Sequence, residues 1–144
     1  MNSLRIAQLA AILTTALALV PGAAHVLELT NKMRLSRLDY LIVQRIYRGW
    51  QFVGIVVIAA LAATLTLASK TQDPLAWIAV AMIVATQVIF WTLTFPVNRR
   101  TRNWTRVSDD WAALRRQWEF SHALSALMNL VAFICVILAV VDPA

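Results

Sequence analysis

The stretch "LAWIAVAMIVATQVIFWTLTFPV", residues 75–97, runs for 23 residues without a charged side chain. At about 1.5 Å of rise per residue a helix of that length covers roughly 35 Å, enough to cross the ~30 Å hydrocarbon layer of a bilayer. Pro74 stands where proline opens helices, and Pro96 is expected to end or kink the segment. Working outward, three further predominantly apolar runs reach spanning length, at residues 6–29, 43–68 and 113–141. The chain is 60% hydrophobic and 14% charged, with a mean hydropathy of +0.69, which excludes an ordinary soluble domain. The fold class predicted is all-α: one domain over residues 1–144, an integral membrane four-helix bundle packed at small crossing angles.

The net charge of +6 does not point to nucleic acid, because the basic residues flank the apolar runs and form no separate basic domain. Of the 13 Lys and Arg residues, only Arg5 and Lys70 lie outside the connections between runs 1 and 2 and runs 3 and 4, with their flanks. The positive-inside rule then places both connections in the cytoplasm and both termini on the non-cytoplasmic side, in a multi-pass protein of a bacterial inner membrane. "ALALVPGAAH" (residues 16–25) looks like a signal-peptide cleavage region. The basic residues that follow it (Lys32, Arg34, Arg37) resist translocation, so the first run is expected to stay as a helix. Ser108 is expected to N-cap the fourth helix. With one cysteine, Cys135, no intrachain disulfide is available.

Only two histidines occur, and each has a glutamate three residues away: His25 with Glu28, and Glu119 with His122. Residues at i and i+3 share a helix face. In the predicted topology both pairs lie near the same membrane surface, so they can meet inside the bundle. Ionisable groups at that depth are costly and mark a functional-site hypothesis. Two imidazoles and two carboxylates suit a mononuclear divalent metal (Fe, Mn or Zn). Haem ligation by the two histidines fits the neighbouring carboxylates less well. The alternative without a cofactor is a histidine, tuned by its glutamate, acting as general base on a lipophilic substrate. A structural ion cluster is the rival to all three.

Polar residues recur at helical spacing on the other runs: Gln44, Tyr47, Gln51 and Gly54, then Gln87, Trp91, Thr94 and Asn98, with Asn129 two turns beyond His122. They are expected to line a polar pocket (Gln44, Tyr47, Gln51, Trp91, Asn98, Asn129) open to the cytoplasmic leaflet. Taken singly, Gln87 and Asn129 read as interhelical hydrogen-bond glue. Trp104, Trp111 and Trp118 read as an interfacial belt, and Arg115 with Glu119 as a surface salt bridge.

"FPVNRRTRNWTRVSDDWAALRRQWEFSHALSALMNLVAF" (residues 95–133), with "HVLELTNK" and "VQRIYRGWQFVG", resembles a small four-helix membrane family that takes in the fungal anthrone oxygenases. The likeness covers nearly the whole chain. It implies that Asn98, Trp111, Leu114, Trp118, Glu119 and His122 hold the family's shared positions. Where some relatives carry arginine three residues after that histidine, this chain has Ser125. The resemblance implies oxygen addition to an activated phenolic ring carbon without a well-defined cofactor. The functional expectation is therefore an oxidoreductase or oxygenase-like membrane enzyme acting on a lipophilic small molecule, with His122, Glu119, His25 and Glu28 as catalytic groups. The alternatives are a non-catalytic accessory subunit, bound to a membrane-protein partner or a second copy, and a small transporter. A transporter is opposed by the nearly apolar outer halves of helices 1 and 4.

Overall fold

The computed structural model describes residues 2–106 and 108–142 and, among them, is all-helical. Helix α1 spans Ser3–Arg34, three residues earlier and five later than the apolar run alone indicates. Both extensions have local causes. The Asn2 side chain accepts the Arg5 N–H at 2.9 Å and caps the first turn. Lys32 and Arg34 sit in the last turn, where cations complement the helix dipole. Pro21 lies inside α1 without ending it. It costs one backbone bond, a loss that neighbouring helices make tolerable within a membrane.

The segment after α1 departs from expectation. A short helix, α2 (Arg37–Val43), starts at Ser36, whose hydroxyl accepts the Asp39 N–H. It gives way to 3₁₀ turns at Gln44–Tyr47 and Trp50–Phe52, separated by Gly49 at φ +92°. The second spanning helix, α3, is regular only over Val53–Thr71. Gln44, Tyr47 and Gln51 therefore do not share one α-helical face with Gly54. Their spacing fits a 3.6 period, but the left-handed glycine breaks the phase.

Gln72 (φ +56°) turns the chain, and Asp73 caps α4 (Pro74–Ile89) by accepting the Leu75 N–H at 2.7 Å. A π turn over Phe90–Thr94 follows, then α5 (Phe95–Thr101), so the span continues past Pro96 to Thr101. Pro96 has no N–H for the preceding turn, and the wider turn absorbs that loss, with the Phe95 N–H bonded to the Phe90 carbonyl. The last helix, α6 (Trp111–Val141), starts after Asp110, whose side chain makes no capping hydrogen bond, and not after Ser108. Ser108 instead donates its hydroxyl to Asp110 Oδ1 at 2.6 Å and accepts the Trp111 N–H through its carbonyl. That hydroxyl, and then Arg100 at 2.8 Å, hold the Asp110 carboxyl below the usual carboxylate range.

Four segments are long and apolar enough to cross a membrane: Ser3–Arg34, Trp50–Thr71, Pro74–Thr101 and Trp111–Val141. This is an integral membrane architecture. The helices close a ring in which α1 packs on α3, α3 on α4, α4 on α6 and α6 on α1. Small residues at the seams (Ala11, Ala60, Ala76, Ala132) allow close approach, while Leu13, Leu17, Ile58 and Leu127 point outward. Helices α1 and α6 approach closely where Gly22 meets Ala126: an added Cβ would lie 3.0 Å from the alanine Cβ. The core has two parts. One is an alanine-rich apolar cluster; the other gathers Tyr40, Val97, Trp104, Leu114 and Trp118 at the basic end of the bundle.

Candidate active site

Helix α1 presents His25, Glu28 and Lys32 at steps of three and four, and α6 presents Trp118, Glu119 and His122 across from them. The centre of the cluster is Lys32, 3% exposed. Its ammonium lies 3.0 Å from Glu119 Oε2, 3.3 Å from Glu28 Oε2 and 3.0 Å from His25 Nδ1, and donates to the Tyr47 hydroxyl at 3.0 Å. Three ammonium protons thus face four acceptors. The Glu119 contact is an ion pair off the hydrogen-bond axis, since Oε2 makes no aligned hydrogen bond. The other carboxylate oxygen, Oε1, accepts the Tyr40 hydroxyl at 2.9 Å, and Tyr47 donates to Glu28. Burial first, and then the adjacent carboxylates, push both tyrosine hydroxyls above their ordinary value near 10. They stay protonated and remain donors.

The two imidazoles stack face to face, with ring centroids 4.3 Å apart and planes 19° from parallel. Trp118 sets its edge or face against both, at 5.0 Å from His25 and 4.2 Å from His122. It also donates its indole N–H to Asn98 Oδ1 at 2.8 Å. Lys32 can only donate, so His25 Nδ1 accepts and the His25 proton resides on Nε2.

This arrangement does not fit a metal or a haem. Among the described residues no three His, Cys, Asp or Glu side chains are grouped to hold a metal ion. The position between the carboxylates, where the cation of a His/Glu site would sit, is taken by the Lys32 ammonium. Rings stacked at 4.3 Å also leave no room for a macrocycle between them. Glu28, Glu119, His25 and His122 do converge, but around a lysine.

Beside the cluster lies a cleft of about 710 Å³, reached by residues from every spanning segment. His25, His122 and Tyr47 line it, whereas Glu28, Glu119 and Lys32 do not. The imidazoles therefore separate the charged hub from the cleft. Of the expected pocket residues, Gln44, Gln51, Asn98 and Asn129 line it too. Trp91 does not. It is 58% exposed and packs on Phe90 and Phe95, because the π turn shifts the helical phase on which its inward placement was predicted.

Other sequence readings also change. Trp104 and Trp118 form no interfacial belt; both are buried, Trp104 edge-on to Tyr40 at 5.0 Å. Arg115 is not paired with Glu119. It donates to the Lys32 and Leu35 carbonyls at the end of α1 and lies over the Trp111 ring. Three buried donors, Gln44 Nε2, Trp104 Nε1 and Arg115 Nε, have no hydrogen-bond partner among the described residues. Lys32 and Tyr40 were missed as site residues. The signal for Lys32 was its position, four residues after Glu28 and seven after His25.

Comparison with protein-family models, with curated proteins and with solved structures yields no match.

Proposed function

We propose that this protein is a small membrane enzyme that takes a lipophilic molecule into the cleft and removes a proton from it with His122, the member of the histidine pair whose ring nitrogens bond no described residue. The observation that carries the reading is the order of groups: cleft, stacked imidazoles, then a lysine between two carboxylates. Counted formally, one ammonium against two carboxylates leaves one negative charge in excess. Within a site of net negative formal charge, the His122 imidazole lines the cleft and is placed to take a proton from a substrate C–H or O–H. Tyr40 and Tyr47, held as donors on Glu119 and Glu28, fix the carboxylates in place.

The resemblance to the anthrone oxygenase-like family makes oxidation by dioxygen the specific version. Deprotonation of an activated ring carbon leaves an electron pair, which forms a C–O bond to dioxygen. The imidazolium returns its proton to give a hydroperoxide, and loss of water leaves a carbonyl. One CH₂ and one O₂ become one C=O and one H₂O. The distribution of Lys and Arg supports a cleft facing the cytoplasmic leaflet of a bacterial inner membrane, with both termini outside.

The test is turnover by purified protein in lipid nanodiscs, supplied with a lipophilic phenol bearing an acidic ring CH₂ and followed by oxygen uptake. His122→Ala should abolish uptake while the protein stays monodisperse and helical. If wild-type protein consumes no oxygen and takes no proton from any such compound, the enzymatic reading fails and the accessory-subunit role takes its place.

A further inference from the structure

Deep in the cleft, away from the charged hub, Asn129 is 8% exposed and lines the cavity wall. No hydrogen bond pairs its amide with any described residue. The same holds for Ser125, one turn earlier on the same face of α6 and also in the lining. This is unlike the other buried polar side chains of the spanning helices. Thr15 and Thr64 bond backbone carbonyls one turn back, and Thr94 pairs with Ser121 at 2.8 Å. Those groups are satisfied by the bundle itself. Interhelical glue would be bonded to a neighbouring helix, and Asn129 is not.

The amide atoms of Asn129 keep surface open to the cleft, so a ligand that fills it cuts them off from water at a cost of about 1–3 kcal/mol unless it offers them a partner. The group that pairs with the amide therefore has to come through the cleft. Asn129 stands two helical turns from His122, about 10.5 Å along the axis. The lining also includes apolar groups from several helices (Ala18, Pro21, Gly22, Val57, Phe90).

We propose that Asn129, helped by Ser125, is a specificity subsite that recognises a hydroxyl or carbonyl oxygen at the far end of the ligand. The ligand class that follows is an elongated, largely apolar ring compound with oxygen at both ends. One end lies at the imidazoles and the other at the Asn129 amide. This rests on the reading that the cleft holds a lipophilic small molecule, and it adds what that molecule must carry.

Three probes of one shape separate the two ideas: biphenyl, 4-phenylphenol and 4,4′-dihydroxybiphenyl, whose oxygens are about two helical turns apart. Binding to the full chain in nanodiscs is read by quenching of tryptophan fluorescence, with wild type and Asn129→Leu measured in the same lipid so that partitioning cancels. Wild type should bind the dihydroxy compound most tightly. Asn129→Leu should weaken that compound about tenfold, the effect of one buried hydrogen bond, and leave biphenyl unchanged or tighter. Equal affinity of variant and wild type for the dihydroxy compound overturns the subsite but not the cleft. Failure of all three probes to bind wild type overturns both. Because the amide is unpaired in the bundle, Asn129→Leu should fold normally. If it does not, Ser125→Ala is read the same way, with a smaller loss expected for the dihydroxy compound and no loss overturning the subsite.

Discussion

Lys32 has two ionic partners of very different worth. The Glu28 side chain is 42% exposed and Glu119 is 0% exposed, both within 3.3 Å of the same ammonium. An ion pair open to solvent contributes about 0–1 kcal/mol, whereas breaking a buried one by removing a single partner costs about 3–5 kcal/mol. Lys32→Met should therefore destabilise the bundle by roughly the larger figure, since it strands a buried carboxylate, and Glu28→Gln by about 1 kcal/mol or less. Denaturation of both variants in the same micelle checks this, and equal losses would refute the ranking. Tyr40 gives a pH dependence whose sign can be worked out. Its hydroxyl titrates above the ordinary value in the folded protein, through burial and the Glu119 charge. Between about pH 7 and 10 it is neutral in both states and contributes no slope. Above about pH 10 the unfolded chain loses the proton and the native one keeps it, so the unfolded state binds fewer protons and stability falls as pH rises. Tyr40→Phe should lower stability at neutral pH by about 1–3 kcal/mol, because Glu119 loses its donor, and should flatten the alkaline fall. A fall of unchanged steepness in the variant would show that another group carries it.

Between residues and helices, close approach and backbone phase decide what the sequence reveals. Gly22→Leu should open the α1–α6 crossing, because even a Cβ there meets Ala126 Cα at 3.1 Å. Gly49→Ala should cost about 1 kcal/mol for a different reason, the left-handed φ of +92°, with no atom within 4 Å to clash. Thermal unfolding of the pair, alongside cleft volume probed by ligand size, separates the two effects: only the first should change which ligands enter. The four spans were legible because long uncharged runs have one solution in a bilayer. The His–Glu pairs were legible because a spacing of three on a straight helix fixes their face. The connector was not, since Gln44, Tyr47 and Gln51 satisfy a 3.6 period that Gly49 interrupts, and no local residue announces the break. Trp91 failed similarly: its phase was counted through Phe90–Thr94, where the π turn adds a residue. Lys32 was hidden by its own sequence context, because a lysine just past an apolar run normally reports orientation. What buries it is the tertiary meeting of α1 with α6, and Glu119 is 87 residues away in the chain.

At the scale of the whole molecule, charge is divided unevenly between the two ends. The connections after α1 and after α5, with the helix ends that flank them, carry nearly all the Lys and Arg, and the opposite end carries only Arg5 and Lys70, the latter in the last turn of α3. Lys32 is now spent internally on two carboxylates, and Arg100 is paired with Asp110. Arg34, Arg37, Arg45, Arg48, Arg99 and Arg102 still remain at that end to meet anionic lipid. The orientation proposed from the basic excess does not depend on Lys32, because that excess is of many charges. A reporter active only outside the cytoplasm, fused at the C-terminus, should be active, and the same reporter inserted within residues 99–106 should be silent. The reverse pattern would turn the cleft to face the opposite leaflet while leaving its chemistry intact. Lys32→Met makes the decisive companion variant: it should lose stability without changing reporter pattern, because orientation sums the whole basic end and the site depends on this one ammonium. A flipped topology in that variant would mean that the buried lysine still acts as a surface charge when the chain inserts.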